Sequence, residues 1–208
     1  MTIHGILLAA GRSSRMRRPK QLLPWQGRPL VRHVAETALA SRLTSLVVGV
    51  GAAAPAVSQA LAGLSGPSTI VVCPDYAQGL AASLRCGLGA LPASTAGAVI
   101  LLVDQPHITP GLINQLISAF LAAPGVPAVI PRYQGQRGNP VLLAARLFAE
   151  LETLKGDVGA RVILARYAAT VRWLDVDDPA VVEDIDTPAA YERSQQRAHW
   201  PADERSTQ

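Results

Sequence analysis

A cluster of positive charge near the start of the chain has the composition of a phosphate-binding loop. Five basic residues fall within nine positions there, namely Arg12, Arg15, Arg17, Arg18 and Lys20. They follow the small residues Ala9-Ala10-Gly11, which let a ligand approach the backbone so that its amides can donate to phosphate oxygens. Guanidinium and ammonium groups can neutralise the same oxygens. The segment predicts a polyphosphate site, although a solvated basic loop would have the same composition.

The rest of the chain does not share this positive charge. The chain carries 19 basic and 15 acidic residues, a net charge of +4, and without the five clustered residues the balance is 14 against 15, or −1. A positive charge confined to one loop does not predict a nucleic acid partner, which would require a broader basic surface. Lys20 is one of two lysines beside 17 arginines, and its compact charge suits phosphate.

A carboxylate at a second place in the chain could complete this chemistry. Asp104 directly follows the apolar run 98–103, where an unpaired carboxylate would be costly unless it binds a metal or a cation. Mg²⁺ prefers one or two carboxylates together with phosphate oxygens. In Asp184-Ile185-Asp186 we predict a strand with both acids on one side, which could supply the second carboxylate. Two alternatives remain, because Asp104 could cap the following turn and Asp186 the helix predicted after it.

The elements that must position these residues alternate along the chain. Apolar runs at 3–9, 46–50, 70–73 and 98–103 predict buried strands, and helical patterns at 29–40, 80–91 and 109–122 lie between or after them. A polar segment between the apolar runs 128–130 and 141–143 is typical of a long hairpin or insertion. A last strand is predicted over 171–176, and a last helix begins at Thr187-Pro188. We therefore predict an α/β fold, a three-layer, mostly parallel open sheet with helices on both faces. Such sheets bind ligands at the carboxyl ends of their strands, where the basic loop and Asp104 both fall.

Composition limits the organisation of the chain. With 208 residues, 49% of them hydrophobic and 16% charged, we predict a single domain over 1–193 and a polar tail over 194–208. No apolar run is long enough to cross a bilayer and no basic segment precedes an apolar one at the start, so we expect no membrane partner and a cytoplasmic protein. We interpret Cys73 and Cys86 as buried small apolar residues, outside any disulfide framework or metal site.

Familiar nucleotide and hydrolase motifs are absent from the sequence or match weakly. It contains no G-x-x-x-x-G-K-[ST] loop and no G-x-S-x-G elbow, which argues against a P-loop enzyme and against that type of hydrolase. Gly49-Val50-Gly51-Ala52-Ala53-Ala54 matches the G-x-G-x-x-A dinucleotide pattern, but Pro55 interrupts it and no convincing acid follows at the ribose-binding distance. We favour a packing role for these glycines, with an NAD(P)-dependent oxidoreductase as the alternative.

Several segments together resemble a known family. The run Leu8-Ala9-Ala10-Gly11, followed by Ser14-Arg15-Met16 and Pro19-Lys20-Gln21-Leu22-Leu23-Pro24, resembles the signature of nucleotidyltransferases with the nucleotide-diphospho-sugar transferase fold, specifically the molybdenum cofactor cytidylyltransferase branch. Further segments occur in the family's order and spacing: 79–85, Asp104-Gln105-Pro106, 137–142, 156–161 and Asp184-Ile185-Asp186-Thr187-Pro188. The resemblance covers nearly the whole chain.

The resemblance implies a role for each matching residue. The nucleotide would be bound by Leu8, Ala9, Ala10, Gly11, Arg12, Lys20, Gly79, Ser83 and Asp104. Lys20, Arg15 and Asp104 would be catalytic, and Asp104 and Asp186 would bind Mg²⁺ as the cofactor. The acceptor would be bound by Arg137, Asn139, Pro140, Asp157 and Arg161, with Arg161 on its phosphate.

The implied activity is transfer of CMP from CTP to the terminal phosphate of molybdopterin, with release of pyrophosphate. Ala10 stands where guanylyl-transferring relatives carry glycine, which favours CTP over GTP. Arg17 stands in place of a usual glycine, Asn139 of a common histidine and Ala81 of a common serine, so the acceptor stays open. A molybdenum hydroxylase apoenzyme is a further candidate partner. Alternatives are a GTP-using or sugar- or alcohol-phosphate cytidylyltransferase of the same fold, the oxidoreductase, and a nucleotide-binding chaperone that delivers cofactor without catalysis.

Overall fold

The computed structural model describes residues 1–16 and 18–199. The strands are β1 (Thr2–Ala9), β2 (Pro24–Trp25), β3 (Arg28–Pro29), β4 (Leu46–Val50), β5 (Ser68–Val72), β6 (Thr95–Leu102), β7 (Ala128–Tyr133), β8 (Gln136–Arg137), β9 (Val141–Ala144) and β10 (Arg172–Asp175). The α-helices are α1 (Leu30–Leu39), α2 (Ala54–Ala60), α3 (Leu80–Gly89), α4 (Pro110–Leu121), α5 (Phe148–Glu152), α6 (Arg161–Leu164) and α7 (Pro188–His199).

One mixed sheet forms the middle layer. Its strand order is β10-β7-β9-β6-β1-β4-β5, and β8 pairs with β7 outside this path. The four strands β6, β1, β4 and β5 are parallel neighbours, whereas β9 runs antiparallel to both β6 and β7. The predicted mostly parallel sheet is confirmed. The two runs predicted to flank a long hairpin or insertion, 128–130 and 141–143, lie in β7 and β9, which pair antiparallel, and the polar segment between them contains β8.

Helices cover both faces of the sheet because the inner strands are apolar on both sides. Ile3, Leu7 and Ala9 of β1 belong to a core cluster that includes residues of α1, α2 and α4. Ile6 and Leu8, which alternate with them, belong to a second cluster with residues of α3, α5 and α6. Successive side chains of a strand point to opposite faces, so a continuous apolar run is what a strand between two helical layers requires.

The start of α4 shows how local sequence sets an element boundary. The Thr109 hydroxyl accepts a hydrogen bond from the Leu112 backbone N–H at 3.2 Å, and Pro110 occupies the first helical turn, as predicted. Within the described residues, no helix combines the length and the hydropathy that a bilayer crossing would need.

The structure differs from the sequence predictions at three places, between β1 and α1, at residues 183–186 and at the end of the chain. The segment between β1 and α1 contains the short hairpin of β2 and β3, with Trp25 fully buried, which the sequence did not reveal. The strand predicted through Asp184 and Asp186 is wrong, because residues 183–186 have no regular secondary structure. Helix α7 continues to His199, so the first residues of the predicted tail are helical. Arg17, the expected departure in the basic loop, and residues 200–208 lie outside the described residues.

The interpretation of the cysteines as separate apolar residues is wrong. A disulfide joins Cys73, directly after β5, to Cys86 in α3, with the Cα atoms 5.7 Å apart. Gly49 on the neighbouring strand β4 leaves space for the bridge, since a Cβ atom there would lie 3.3 Å from the Cys73 sulfur. The 13-residue separation gave no sign of this pairing, because only the antiparallel passage from β5 back along α3 brings the two residues together.

Candidate active site

The carboxyl ends of β1 and β6 open into a cavity of about 480 Å³, hereafter the first cavity. It is lined by Leu8, Ala10, Gly11, Arg12, Ser13, Lys20, Gln21, Tyr76, Ala77, Gln78, Gly79, Leu80, Ser83, Leu102, Val103, Asp104 and Asp157. One side is therefore formed by the predicted phosphate loop and the other by the segment that leads into α3. The position agrees with the general placement of ligands in open α/β sheets.

A buried glutamine fixes the predicted phosphate loop. The Gln21 side-chain amide donates to the carbonyl oxygens of Ala9 at 2.9 Å and Gly11 at 2.8 Å. The Ser13 hydroxyl accepts from the Lys20 backbone N–H at 3.0 Å and closes the loop from the other side. The two bonds from Gln21 satisfy carbonyl groups that the end of β1 would leave without partners. Gln21 lies in a segment that carries the family resemblance, but its type alone did not indicate this role.

Lys20 links the two predicted metal-binding carboxylates. Its ammonium nitrogen lies 2.8 Å from Asp104 Oδ2 and 2.7 Å from Asp186 Oδ1. Burial alone would lower the pKa of Lys20, but the attraction and hydrogen bonds of Asp104 and Asp186 outweigh it and raise the pKa above its ordinary value. The hydrogen bond from Lys20 lowers the pKa of Asp186. Lys20 is therefore protonated, and it holds Asp104 and Asp186 together in one charged cluster.

The segment before α7 completes this cluster. The Ile185 backbone N–H donates to the Asp104 carbonyl oxygen at 2.9 Å, which docks the segment against the turn after β6. Arg15 lies 2.7 Å from Asp186 Oδ2 with 73% of its side chain exposed, on the outer side of the carboxylate. Burial and then repulsion by Asp186 and Asp104 raise the pKa of Asp184. The excess of negative charge near Asp184 favours a cation at this place.

The carboxylates fit the Mg²⁺ ion that the resemblance implies. Asp104 Oδ1 is buried without a hydrogen-bond partner in the structure, although the other oxygen of the same group is bonded to Lys20. A buried carboxylate oxygen in this state is suited to a cation. The described residues contain no group of three or more His, Cys, Asp or Glu side chains that could hold a metal ion. Mg²⁺ commonly uses one or two carboxylates plus phosphate oxygens and water, so Asp104 and Asp186 would suffice to hold it.

The opposite wall of the first cavity is formed by the loop between β5 and α3. Gly79 has a φ of +104°, and a Cβ atom there would lie 2.6 Å from the Gly156 carbonyl, so this position requires glycine. Tyr76 packs on Gly51, where a Cβ atom would lie 2.6 Å from Tyr76 Cγ and 2.8 Å from the Ala10 carbonyl oxygen. The glycines of the G-x-G-x-x-A pattern thus accommodate the disulfide and Tyr76. This is a packing role, and it leaves no direct approach to Gly51 for a dinucleotide.

A second cavity of about 370 Å³ adjoins the first. The two cavities share the lining residues Leu8, Leu80, Leu102 and Asp157. Arg137, Asn139 and Arg161 line the second cavity together with apolar side chains of α3 and β6. Burial, and then the charge of Arg161, lower the pKa of Arg137. Two arginines that repel each other inside one cavity make a favourable place for an anion.

Asp157 lines both cavities and contacts the first residues of α3. Its Oδ1 accepts from the Leu80 backbone N–H at 3.2 Å, and the Gly156 carbonyl oxygen accepts from the Ala81 N–H at 3.2 Å. These bonds satisfy the first N–H groups of α3, which have no partners within the helix. The contact is a helix cap, so a direct role of Asp157 toward the acceptor stays a prediction.

Most of the predicted site residues come together at these cavities. The exceptions are four. Asp186 lies 2.7 Å from the Lys20 ammonium nitrogen but lines neither cavity. Ala9 faces the core, and its carbonyl oxygen accepts a hydrogen bond from Gln21. Pro140 follows a cis peptide bond, is buried and does not line the second cavity. Arg15 contacts Asp186 outside the first cavity. Tyr76 was not predicted as a site residue, although it lies on the wall of the first cavity.

Comparisons with known proteins bear on the family and the fold of the chain. A family model described as the MobA-like NTP transferase domain matches residues 5–171. Nicotine blue oxidoreductase from Paenarthrobacter nicotinovorans is 36% identical over 197 residues, which span 89% of this chain and 92% of that protein. The molybdenum cofactor cytidylyltransferase of Escherichia coli K12 is 26% identical over 192 residues, or 92% of this chain and 95% of that protein.

A solved structure shows the same fold over nearly all of the chain. Rv0371c from Mycobacterium tuberculosis H37Rv superposes with a TM-score of 0.82 at 33% identity, covering 94% of this chain and 98% of that one. A further structure of Rv0371C is a complex with manganese and superposes with a TM-score of 0.77 at 30% identity, covering 94% and 99%.

Proposed function

The chain belongs to the MobA-like NTP transferase family, and we propose that this nucleotidyltransferase moves CMP from CTP to the terminal phosphate of molybdopterin. The observation that carries the proposal is the arrangement of the two cavities. The first holds Arg12, Lys20 and Asp104, and the second holds Arg137 and Arg161. The two share a boundary, so a nucleotide in one and a phosphorylated acceptor in the other could meet there.

The reaction that this arrangement suits is an in-line displacement at phosphorus. An oxygen of the acceptor phosphate attacks the α-phosphorus of CTP, a new P–O bond forms, and the bond to the β-phosphate oxygen breaks. The leaving pyrophosphate keeps the electron pair, so negative charge increases on the side of Arg12 and Lys20. Little covalent chemistry is needed from the protein, because positioning and charge neutralisation carry such transfers.

We assign Lys20 two successive roles. Without substrate its ammonium neutralises Asp104 and Asp186. We propose that it turns toward the triphosphate when a nucleotide binds, and that Asp104 and Asp186 would then hold a Mg²⁺ ion in its place. The ion would supply charge neutralisation at the phosphate oxygens. Arg137 and Arg161 would hold the acceptor phosphate, with Asn139 beside them.

Several features support cytidine as the base and molybdopterin as the acceptor. Ala10 lines the first cavity at the position where guanylyl-transferring relatives of the family carry glycine. Gly79 and Ser83, predicted to contact the nucleotide, lie on the opposite wall. The 26% identity with a molybdenum cofactor cytidylyltransferase points to the same substrates. As part of this proposal the enzyme works in the cytoplasm and passes its product to a molybdenum hydroxylase apoenzyme.

The proposal is tested by pyrophosphate release with molybdopterin and Mg²⁺, compared for CTP, GTP and ATP. We expect release with CTP well above the other two, and a cytosine dinucleotide product by mass spectrometry. Faster release with GTP would show that GTP, and not CTP, is the nucleotide substrate. Tight CTP binding without pyrophosphate release for any nucleotide would contradict the transferase reaction and favour a delivery chaperone.

One relative supplies a reason to test a second activity. The protein that is 36% identical is named an oxidoreductase, and the G-x-G-x-x-A pattern left the same alternative open. The packing of Tyr76 on Gly51 argues against a dinucleotide at that turn. Calorimetric titration with NADH and with CTP plus Mg²⁺ separates the two activities. Binding of NADH alone would favour the oxidoreductase.

A further inference from the structure

The first cavity contains an aromatic side chain to which neither the motifs nor the reaction assign a role. Among the described residues that line the first cavity, Tyr76 is the only aromatic one. The guanidinium carbon of Arg12 lies 5.7 Å from the centre of its ring. This distance is within the range of a cation–π interaction, in which the ring face attracts a positive charge.

The protein holds Tyr76 firmly on one side. The ring rests on Gly51, and the hypothetical Cβ distances of 2.6 and 2.8 Å there show that no other residue would leave it room. The Tyr76 backbone N–H donates to the Cys73 carbonyl oxygen at 3.3 Å, and its carbonyl oxygen accepts from the Gly79 N–H at 3.2 Å. The disulfide of Cys73 anchors the start of the same segment.

Arg12, in contrast, has little else to hold it. It is exposed, it lies in a segment without regular secondary structure, and the described part of the chain offers it no acidic partner within salt-bridge distance. An arginine in such a place samples many rotamers and loses that freedom when it binds an anion. A side chain that is already held in place loses less, and therefore binds more tightly.

We propose that Tyr76 is a positioning residue that holds Arg12 over the mouth of the first cavity, in the place where a triphosphate enters. The inference rests on the proposed function in so far as a nucleoside triphosphate binds this cavity. It also accounts for Gly51 at the end of β4, because only glycine leaves space for the ring that holds Arg12.

The experiment is a double-mutant cycle on the affinity for CTP with Mg²⁺, measured by calorimetry without any acceptor. We expect Tyr76→Leu to weaken binding by about two- to fivefold, the effect of one cation–π contact at an exposed site. Tyr76→Phe keeps the ring face and should retain most of the affinity. In an Arg12→Ala background, Tyr76→Leu should have no further effect, because its partner is already gone.

A distant pair of the same kind serves as the control. Arg132 lies 5.6 Å from the ring centre of Trp173 at the sheet edge formed by β10, and Trp173→Leu should leave the affinity for CTP unchanged. An equal loss from Tyr76→Leu with and without Arg12 would overturn the inference and indicate that the ring stacks on the base. Unchanged affinity in Tyr76→Leu would also overturn it. If the wild-type protein does not bind CTP at all, the proposed function itself fails, which is a separate result.

Discussion

The two cavities of this protein differ in how their charges are balanced. In the first, Lys20 lies between the carboxylates of Asp104 and Asp186, at 2.8 and 2.7 Å. In the second, Arg137 and Arg161 have no ion pair with any residue in the described part of the chain, and the repulsion between them contributes to the lowered pKa of Arg137. The first cavity is nearly neutral by itself, whereas the second has an uncompensated positive charge.

This difference suggests how each cavity treats its ligand. A balanced cluster can accept a triphosphate only if its internal pairs rearrange, which couples nucleotide binding to a divalent cation. An unbalanced pair of arginines can accept an anion without rearrangement, because the charge is already present. We therefore expect substitutions in the first cavity to affect turnover and substitutions in the second to affect the affinity for the acceptor.

The largest effect is expected from the buried carboxylate of the first cavity. Asp104→Asn should lower turnover by at least ~10²-fold, the scale of losing one important electrostatic stabiliser. Pyrophosphate release at saturating CTP and acceptor measures this, and Asp177→Asn, an exposed acid away from the first two cavities, is the matched control. Near-normal turnover in Asp104→Asn would contradict the electrostatic role assigned to Asp104 in the first cavity.

The arginine pair should show the opposite kinetic pattern. Arg161→Ala should raise the KM for the acceptor about tenfold, as expected from the loss of one charged hydrogen bond, and should change the affinity for CTP less than about twofold. Arg172→Ala, an exposed arginine on β10, is the control. If Arg161→Ala instead weakens CTP binding and leaves the acceptor KM unchanged, the assignment of the second cavity is wrong.

The disulfide should support the first cavity more than the second. It closes a loop that supplies Tyr76, Gly79 and Ser83 to the first cavity. Reduction, or Cys86→Ser, should cost up to about 3 kcal/mol of stability on chain-entropy grounds and weaken CTP binding a few-fold. Thermal unfolding and calorimetry with and without a reducing agent measure both. Equal affinity for CTP in both states would show that the wall keeps its shape without the bridge.

The smallest effects should come from two acids of opposite behaviour. The folded-state pKa of Asp186 is lowered from its ordinary value of 3.8, so its contribution to stability is present above 3.8 and is lost as the pH falls through the folded-state pKa. The pKa of Asp184 is raised, so its carboxylate destabilises the folded state at neutral pH and this penalty disappears as the pH falls toward 3.8.

Unfolding midpoints of the metal-free protein test these signs. At pH 7, Asp186→Asn should lower the midpoint and Asp184→Asn should raise it slightly. Both differences should shrink at pH 3.5. The same direction of change for both variants at pH 7 would contradict the charge distribution described for the cluster.

The sequence was most informative where a single residue type had a strong physical constraint. The long apolar runs predicted strands between two layers, and a carboxylate after such a run predicted a metal or cation site at Asp104. The basic loop indicated Lys20. The spacing of Asp184 and Asp186 suggested a second carboxylate, and the resemblance to a family then assigned the metal to Asp186. The predicted sheet is confirmed, and the structure brings Asp104, Lys20 and Asp186 into contact. Both predictions depended on local composition and on the rule that ligands bind at the carboxyl ends of parallel strands, and the roles of the three residues stay predictions.

Most of the features that were missed depend on how segments pack in three dimensions. Gln21 bonds two carbonyl groups at the end of β1, and a glutamine in a loop does not show in advance which carbonyls it will reach. The disulfide between Cys73 and Cys86 depends on how α3 packs beside β5. The hairpin of β2 and β3 is too short to produce a periodic pattern. Such contacts follow from tertiary packing rather than from spacing along the chain.

The central claim is that Asp104 and Asp186, linked by Lys20 beside the first cavity, form a cation site that the triphosphate completes. Anomalous diffraction from crystals grown with CTP and Mn²⁺ tests it most directly. The account predicts one manganese peak beside the carboxylates of Asp104 and Asp186, with the ammonium group of Lys20 turned toward the phosphates. A nucleotide bound in the first cavity with its manganese ion away from both carboxylates would contradict it.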